Sequence, residues 1–209
     1  MRLIGMLDSP YVRRAAIALD ALGVDFKHEP VSVFSTFERF HAINPVVKAP
    51  TLVCDDGTVL MDSALIIDYA ETLAGKSLMP GSLESRKQAL RVLGLALAGC
   101  EKAVQAVYER NLRPPEKHHE PWLARVGGQL SAAFAALEAE TQREPPIVHA
   151  VALTLPVITV AVVWQFVQSK VPNDVPASVH PNLEALSQSA EALAVFRKYQ
   201  PIGPGVPKS

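Results

Sequence analysis

The sequence contains very little cysteine and almost no net charge. Its only cysteines, Cys54 and Cys100, are too few and too far apart for a disulfide framework or a metal site. This scarcity favours a reducing compartment, so the cytoplasm is the expected location. The formal net charge is -1, and therefore no electrostatic attraction to nucleic acid or to an anionic membrane is expected.

Long apolar runs are also scarce. The N-terminus lacks a basic region followed by an extended apolar stretch, so no signal peptide is expected. The most apolar segment, Ile147 to Val163, contains Pro156 near its middle. It falls short of the roughly 20 apolar residues that span a bilayer, and no basic cluster flanks it. The segment therefore predicts a buried helix of a soluble protein.

The first third of the chain alternates strand and helix patterns. Arg2–Met6 and Phe26–Val31 are predicted strands, and between them Pro10–Leu22 has the apolar spacing of a helix that ends at Gly23. Two strands joined by a helix are expected to be parallel, with a right-handed crossover. A short second helix is predicted over Thr36–Ile43.

A β-hairpin is predicted next. Thr51–Cys54 and Thr58–Met61 are rich in β-branched residues and flank Asp55-Asp56-Gly57. The Asp-Gly pair suits the positive φ angles of a tight turn. Ser63–Ala74 then predicts a third helix closed by Gly75. The resulting order βαβαββα predicts a mixed four-stranded sheet covered by helices.

Strand patterns disappear after residue 76. Residues 77–82 contain proline and glycine and predict a linker between an α/β domain over 1–76 and an all-α domain over 83–209. In the second domain, Pro114-Pro115 ends a long helix, and shorter helices are predicted between Pro181 and Tyr199, before a Pro/Gly tail. A helix that begins near Pro121 is predicted to bury Trp122, Val126, Leu130, Ala133 and Leu137.

Three short motifs stand at boundaries between these elements. Ser9-Pro10 opens the first helix, Ala49-Pro50 precedes the hairpin, and Asp62-Ser63 opens the third helix. Together with the helical second domain, they make nearly the whole chain resemble the cytosolic glutathione S-transferases, of a bacterial-like serine type. The resemblance implies a thioredoxin-like domain that binds glutathione as co-substrate, and a helical domain that supplies most of an electrophile pocket. It also implies a homodimer, a role in detoxification and no metal.

Ser9 has two possible roles at the start of the first helix. Serine followed by proline is favourable N-cap chemistry. The resemblance implies instead that the Ser9 hydroxyl donates a hydrogen bond to the glutathione sulfur, whose thiolate is stabilised by the helix N-terminus. Thioredoxins and cysteine-type transferases carry a reactive cysteine here. The corresponding residues are Ser9 and Val12, so thiol–disulfide exchange through a protein cysteine is not expected.

The resemblance assigns glutathione binding to Lys48, Ala49, Pro50, Asp62 and Ser63. A cis Ala49-Pro50 bond would turn the Ala49 backbone toward the cysteinyl unit, although X-Pro bonds are usually trans. Lys48 would meet the glycyl carboxylate, or else remain a solvated loop lysine. Asp62 and Ser63 would hold the γ-glutamyl ammonium and carboxylate, or would only cap the third helix.

The electrophile pocket is assigned to Tyr11, Tyr108 and Asn111, with packing and surface positions as the alternatives. Arg13 and Arg14 could attract an acidic tripeptide, but on an exposed helix face such residues are more often solvated or in weak ion pairs, and an exposed face is expected here. Cys54, inside a predicted hairpin strand, is expected to be a small buried apolar residue.

One feature departs from the family pattern. The buried helix of the second domain usually begins with a Ser/Thr-x-x-Asp capping box, and here Thr154-Leu155-Pro156-Val157 stands in its place. The missing carboxylate predicts a cap that is weaker by about 1 kcal/mol.

These features favour a glutathione transferase that conjugates the glutathione thiolate to small hydrophobic electrophiles. One alternative is a glutathione-binding or regulatory protein with little catalysis, because a fold does not determine function. Another is a glutathione peroxidase that uses no protein cysteine.

Overall fold

The structure is a computed structural model that describes residues 1–208. The chain divides into two units, the first formed by Met1–Leu78 together with Ala194–Gly205, and the second dominated by Met79–Leu193. The division after Leu78 lies inside the segment predicted as a linker. Ala194–Gly205, which the sequence analysis assigned to the helical domain, lies with the α/β unit instead.

A mixed four-stranded sheet forms the centre of the first unit, with the strand order β2-β1-β3-β4. Strand β1 (Arg2–Ile4) is parallel to β2 (Lys27–Glu29) and antiparallel to β3 (Thr51–Val53), which pairs with β4 (Val59–Met61). The predicted mixed sheet and hairpin are confirmed. Because β2 lies at the edge, Pro30 directly after it removes no hydrogen bond from the sheet interior.

The helices of the first unit are α1 (Pro10–Leu22), α2 (Phe37–Ile43) and α3 (Ser63–Ala74). Helix α1 has the predicted bounds and packs against α3. It ends at Gly23, whose φ of 73° is the left-handed conformation that glycine adopts without a steric penalty.

Within residues 1–208, the second unit contains four α-helices of 11 to 30 residues. They are α4 (Leu83–Leu112), α5 (Glu120–Arg143), α6 (Leu155–Lys170) and α7 (Pro181–Glu191). Helix α6 is buried on nearly all sides, as its composition predicts, and it packs against α4 and α7. Among residues 1–208, no helix is both long enough and apolar enough to cross a membrane.

Helix α6 begins later in the sequence than the apolar segment from which it was predicted. The segment begins at Ile147, but the helix begins at Leu155, because Pro156 is tolerated only in a first helical turn. The Thr154 side chain makes no capping hydrogen bond among the described residues, in agreement with the missing capping box. Leu153 and Ile158 are both buried, at the spacing of a hydrophobic staple.

Helix α5 buries most of the face that the sequence predicts. Its buried residues include Val126, Leu130, Ala133 and Leu137, which confirms the helical spacing. Trp122, however, is 39% exposed, and its predicted burial was wrong. It belongs to the first turn of α5, where the side chains of residues 120–122 are all exposed.

The last helix, α8 (Ala194–Lys198), is attached to α1 of the first unit. The guanidinium of Arg13, which is 1% exposed, donates hydrogen bonds to the carbonyl oxygens of Tyr199 at 2.7 Å and Phe196 at 3.4 Å. Asp20 accepts a hydrogen bond from the Tyr199 hydroxyl at 2.9 Å and pairs with Lys198. The predicted exposure of Arg13 was therefore wrong, because its cation binds carbonyls at the C-terminal end of α8.

A nearly buried carboxylate, Glu140, joins α4 to α5 in the second unit. Arg91 Nε donates to its Oε1 at 2.6 Å and Gln88 Nε2 donates to its Oε2 at 2.8 Å, while Arg143 also pairs with it. The hydrogen bond from Arg91, followed by that from Gln88, lowers the pKa of Glu140 below its ordinary value. These bonds favour the ionised carboxylate in the folded state.

Glu140 is expected to make stability depend on pH. Since its folded-state pKa lies below the ordinary value of 4.5, its contribution is present above that pH and is lost as the pH falls through the folded-state pKa. We expect Glu140→Gln to lower the free energy of unfolding by about 1 to 2 kcal/mol at neutral pH and by much less in strong acid. Urea unfolding at both pH values measures this difference.

The exposed neighbour Glu144 offers a matched control. Glu144→Gln removes a carboxylate one helical turn away and should change stability little at either pH. A Glu140→Gln effect that keeps its size in acid would contradict the proposed ionic origin.

Candidate functional site

Ser9 lies at the end of the loop between β1 and α1. Its hydroxyl oxygen accepts a hydrogen bond from the Val12 amide at 3.5 Å, which is long for an N–H···O bond, so the cap is weak. A hydroxyl that accepts through its oxygen retains its one proton as a donor. Capping the helix and donating to a ligand are therefore compatible roles for this side chain.

Gly5 brings the neighbouring segments close to this loop. Its φ is 140°, and a Cβ atom there would lie 2.6 Å from Val12 Cγ2 and 3.4 Å from the Ala49 Cβ. The first turn of α1 and the segment before the hairpin therefore both contact the end of β1 at Gly5. This role of Gly5 was not predicted, because nothing in the sequence marks a close approach between distant segments.

A buried amide organises the segment before the hairpin. Asn44, 2% exposed, donates from Nδ2 to Thr51 Oγ1 at 2.8 Å and accepts from the Val46 amide at 3.0 Å. Thr51 Oγ1 in turn donates to the Lys48 carbonyl at 2.7 Å. These bonds fix both ends of the segment that contains the Ala49-Pro50 peptide bond, which is cis.

Asp62, which precedes Ser63 at the start of α3, has a backbone conformation that is unusual for a non-glycine residue. Asp62 has φ 74° and ψ 126°, and its Oδ1 accepts a hydrogen bond from the Ala64 amide at 2.9 Å. Such backbone outliers concentrate at functional sites. Lys48 Nζ lies 3.7 Å from Asp62 Oδ2, so two residues assigned to glutathione binding are neighbours.

The buried side chain of Arg14 donates a hydrogen bond to Ser63. Its guanidinium is 1% exposed, and Nη1 donates to Ser63 Oγ at 2.8 Å. The prediction that Arg14 lies on an exposed face was wrong. Like Ser9, Ser63 accepts through its oxygen from a protein N–H and keeps its proton as a donor. Both serines therefore keep a hydroxyl proton beside a helix N-terminus, where anionic groups are stabilised; Ser9 is half-buried and Ser63 is buried.

Comparison with known proteins places this geometry in a family. Residues 3–78 match the family model of the glutathione S-transferase N-terminal domain. A glutathione transferase family member from Pseudomonas fluorescens Pf-5, solved with bound S-(propanoic acid)-glutathione, is 29% identical, with a TM-score of 0.79 over 97% of this chain and 100% of its own. Residues 3–78 are therefore a glutathione S-transferase N-terminal domain.

Two other glutathione S-transferases are also similar to this chain. A glutathione S-transferase from Methylobacterium radiotolerans, in complex with glutathione sulfonate, is 26% identical with a TM-score of 0.84, over 100% of this chain and 95% of its own. The probable glutathione S-transferase BZ2 of Zea mays is 39% identical over 80 residues, which are 37% of this chain. That match spans only 34% of the maize protein's own length.

The residues predicted for the electrophile pocket lie in separate units. Tyr11 is half-buried on α1, while on α4 Tyr108 is 41% exposed and Asn111 is half-buried. Their assignment to the electrophile pocket stays a prediction. Cys54 is buried, as expected. Within residues 1–208, no group of three or more His, Cys, Asp or Glu side chains is placed to hold a metal ion.

The backbone conformation of Asp62 leads to a stability prediction. Asp62→Gly and Asp62→Ala both remove the cap, but only glycine relieves the positive φ of 74°. We expect the glycine variant to be more stable than the alanine variant by about 1 kcal/mol or more in urea unfolding.

Ser82 provides the matched pair for this measurement. It caps α4 with an ordinary φ of -76°, so Ser82→Gly and Ser82→Ala differ only by the preference of an N-cap for glycine. Equal glycine–alanine differences at residues 62 and 82 would show that the Asp62 backbone is unstrained.

Proposed function

We propose that this chain is a glutathione transferase that conjugates the glutathione thiolate to small hydrophobic electrophiles. The observation that carries the proposal is the Ser9 hydroxyl at the N-terminus of α1, with its oxygen occupied by the Val12 amide and its proton available. The known relatives with bound glutathione derivatives support glutathione as the thiol substrate.

The reaction requires a stabilised thiolate. Ser9 is not a base; its proton and the positive end of α1 favour the ionised sulfur electrostatically. Lowering a thiol pKa by about 2 units corresponds to roughly 2.7 kcal/mol, within reach of one charge-assisted hydrogen bond plus a helix N-terminus. The thiol proton leaves to solvent, the sulfur forms a bond to the electrophilic carbon, and a leaving group such as halide departs with its electron pair.

The rest of the tripeptide would be held by the other two segments. The Ala49 backbone beside the cis bond would pair with the cysteinyl unit as an added strand does. Asp62 would bind the γ-glutamyl ammonium, and the Ser63 hydroxyl, oriented by Arg14, would donate to its carboxylate.

Lys48 would bind the glycyl carboxylate. In the structure it pairs with Asp62, with side-chain exposures of 51% and 47%. Exposed pairs of this kind contribute little to stability. The lysine can therefore exchange Asp62 for a ligand carboxylate at small cost.

The test compares wild type, Ser9→Ala and Ser82→Ala. Both variants lose a helix-capping serine, but Ser82 caps α4 in the other unit. We expect wild type and Ser82→Ala to be retained on immobilised glutathione, to conjugate a generic aryl halide, and to lower the pKa of bound glutathione, measured by its thiolate absorbance. In Ser9→Ala that pKa should rise toward the value of free glutathione, while affinity changes little.

Three results would count against the proposal in different ways. Retention of wild type without turnover would support a binding or regulatory protein. Turnover of organic hydroperoxides in place of aryl halides would support a peroxidase. Identical thiolate titrations for Ser9→Ala and Ser82→Ala would reduce Ser9 to a cap.

We further propose that the chain forms a homodimer through α3. Leu65, Tyr69 and Leu73 are exposed by 64%, 37% and 54%, and their i, i+4, i+8 spacing places them in one stripe. An exposed apolar stripe on a helix that also packs against its own unit is typical of a protein interface.

Leu65→Glu should separate the dimer, because it would bury a charge in the contact. Light scattering should give twice the 22.6 kDa chain mass for wild type and the single mass for the variant. Val179→Glu introduces the same charge at a residue that is 63% exposed in the second unit and should remain dimeric. A wild type of single mass would overturn this proposal.

A further inference from the structure

We propose that Asp8 is a positioning residue for Ser9, and that residues 201–205, the segment after α8, hold it in place. This inference rests on the proposed function, because its readout is the bound thiolate. The name "C-terminal strap" is used below for residues 201–205.

Two glycines of the strap, Gly203 and Gly205, contact the Asp8 carboxylate. The Gly205 amide donates a hydrogen bond to Asp8 Oδ2 at 2.7 Å. A Cβ atom at Gly203 would lie 2.2 Å from Asp8 Cγ and 2.3 Å from its Oδ2, so the carboxyl group lies directly against the Gly203 backbone. Gly205 has a φ of 72°, a conformation that favours glycine. The Gly203-Pro204-Gly205 turn therefore encloses the side chain that immediately precedes Ser9.

The strap is itself anchored to α1. Just before it, the carbonyl oxygens of Phe196 and Tyr199 accept hydrogen bonds from the buried Arg13 guanidinium. The backbone amide of Arg13 donates to the Ser9 carbonyl at 3.0 Å. The chain on both sides of Ser9 is thus bound by residues 196–205: Phe196 and Tyr199 bind Arg13 after it, and the C-terminal strap binds Asp8 before it.

These contacts are important for the proposed chemistry because the helix-capping hydrogen bond restrains the Ser9 hydroxyl only weakly. The 3.5 Å contact with the Val12 amide leaves the side chain freedom to turn. A hydrogen bond to a thiolate requires the donor to stay in place, and misplacing a reacting group by about 1 Å can cost on the order of 100-fold in rate. The Asp8–Gly205 bond restrains the loop backbone from which Ser9 projects.

The experiment compares Asp8→Ala, Asp8→Asn and Gly203→Ala with wild type. It measures kcat/KM for an aryl halide against pH at saturating glutathione, together with glutathione affinity and melting temperature. We expect Asp8→Ala to raise the apparent pKa of the bound thiol by about 1 unit and to lower kcat/KM about tenfold at neutral pH, with little change in glutathione affinity.

The other two variants separate positioning from charge. Asp8→Asn keeps an acceptor oxygen for the Gly205 amide and should restore most of the wild-type pH profile. Gly203→Ala leaves Asp8 intact but should reproduce the Asp8→Ala profile, since the added methyl group displaces the carboxylate. If Asp8→Ala does not fold, Gly203→Ala carries the same test. Asp25→Ala removes an exposed aspartate of the same unit and serves as the matched control.

The possible failures are distinguishable. A wild type without a bound thiolate and without conjugation would overturn the proposed function, and this inference with it. An active wild type whose pH profile is unchanged in both Asp8→Ala and Gly203→Ala, even with a lowered melting temperature, would overturn only the positioning role. A profile altered equally in Asp8→Asn and Asp8→Ala would also overturn it, because charge would then matter and the hydrogen bond would not.

Discussion

The hydroxyl group of Ser9 has one proton and two lone pairs, and the proposed chemistry depends on which groups bind the proton and which bind the oxygen. The oxygen faces the Val12 amide at the start of α1, which leaves the proton for a partner outside the helix. Ser63 repeats the arrangement with a different donor, the buried guanidinium of Arg14. At both positions a protein N–H group binds the hydroxyl oxygen, and the hydroxyl proton remains for another acceptor.

Two consecutive arginines on α1, Arg13 and Arg14, connect these serines to the rest of the first unit. Side chains that follow one another on a helix point in directions about 100° apart, so Arg13 and Arg14 reach different neighbours. Arg13 binds the carbonyls at the end of α8, and Arg14 binds Ser63 at the start of α3. Helix α1 thus connects the serine at its own N-terminus with two other parts of the unit.

Much of the fold was predictable because local chemistry determines it. Ser9-Pro10 and Gly23 mark the ends of α1, Asp56-Gly57 marks the hairpin turn, and apolar spacing predicts the buried face of α5. The roles of Gly5, Asn44 and Arg14 were not predictable, since each depends on a partner that is distant in sequence or on a close backbone approach. A doublet of arginines on a helix is usually solvated, and only the fold shows that these two are buried. The cis state of Pro50 likewise depends on its surroundings, which the sequence does not display.

The attachment of α8 to α1 affects the order in which the unit can be completed. The carbonyl partners of Arg13 lie 183 and 186 residues further along the chain, beyond all the helices of the second unit. On the ribosome, the guanidinium must therefore remain without these partners until helices α4 to α7 have been translated. Contacts of such long range close slowly, so the first unit begins to form before the second unit and is completed after it.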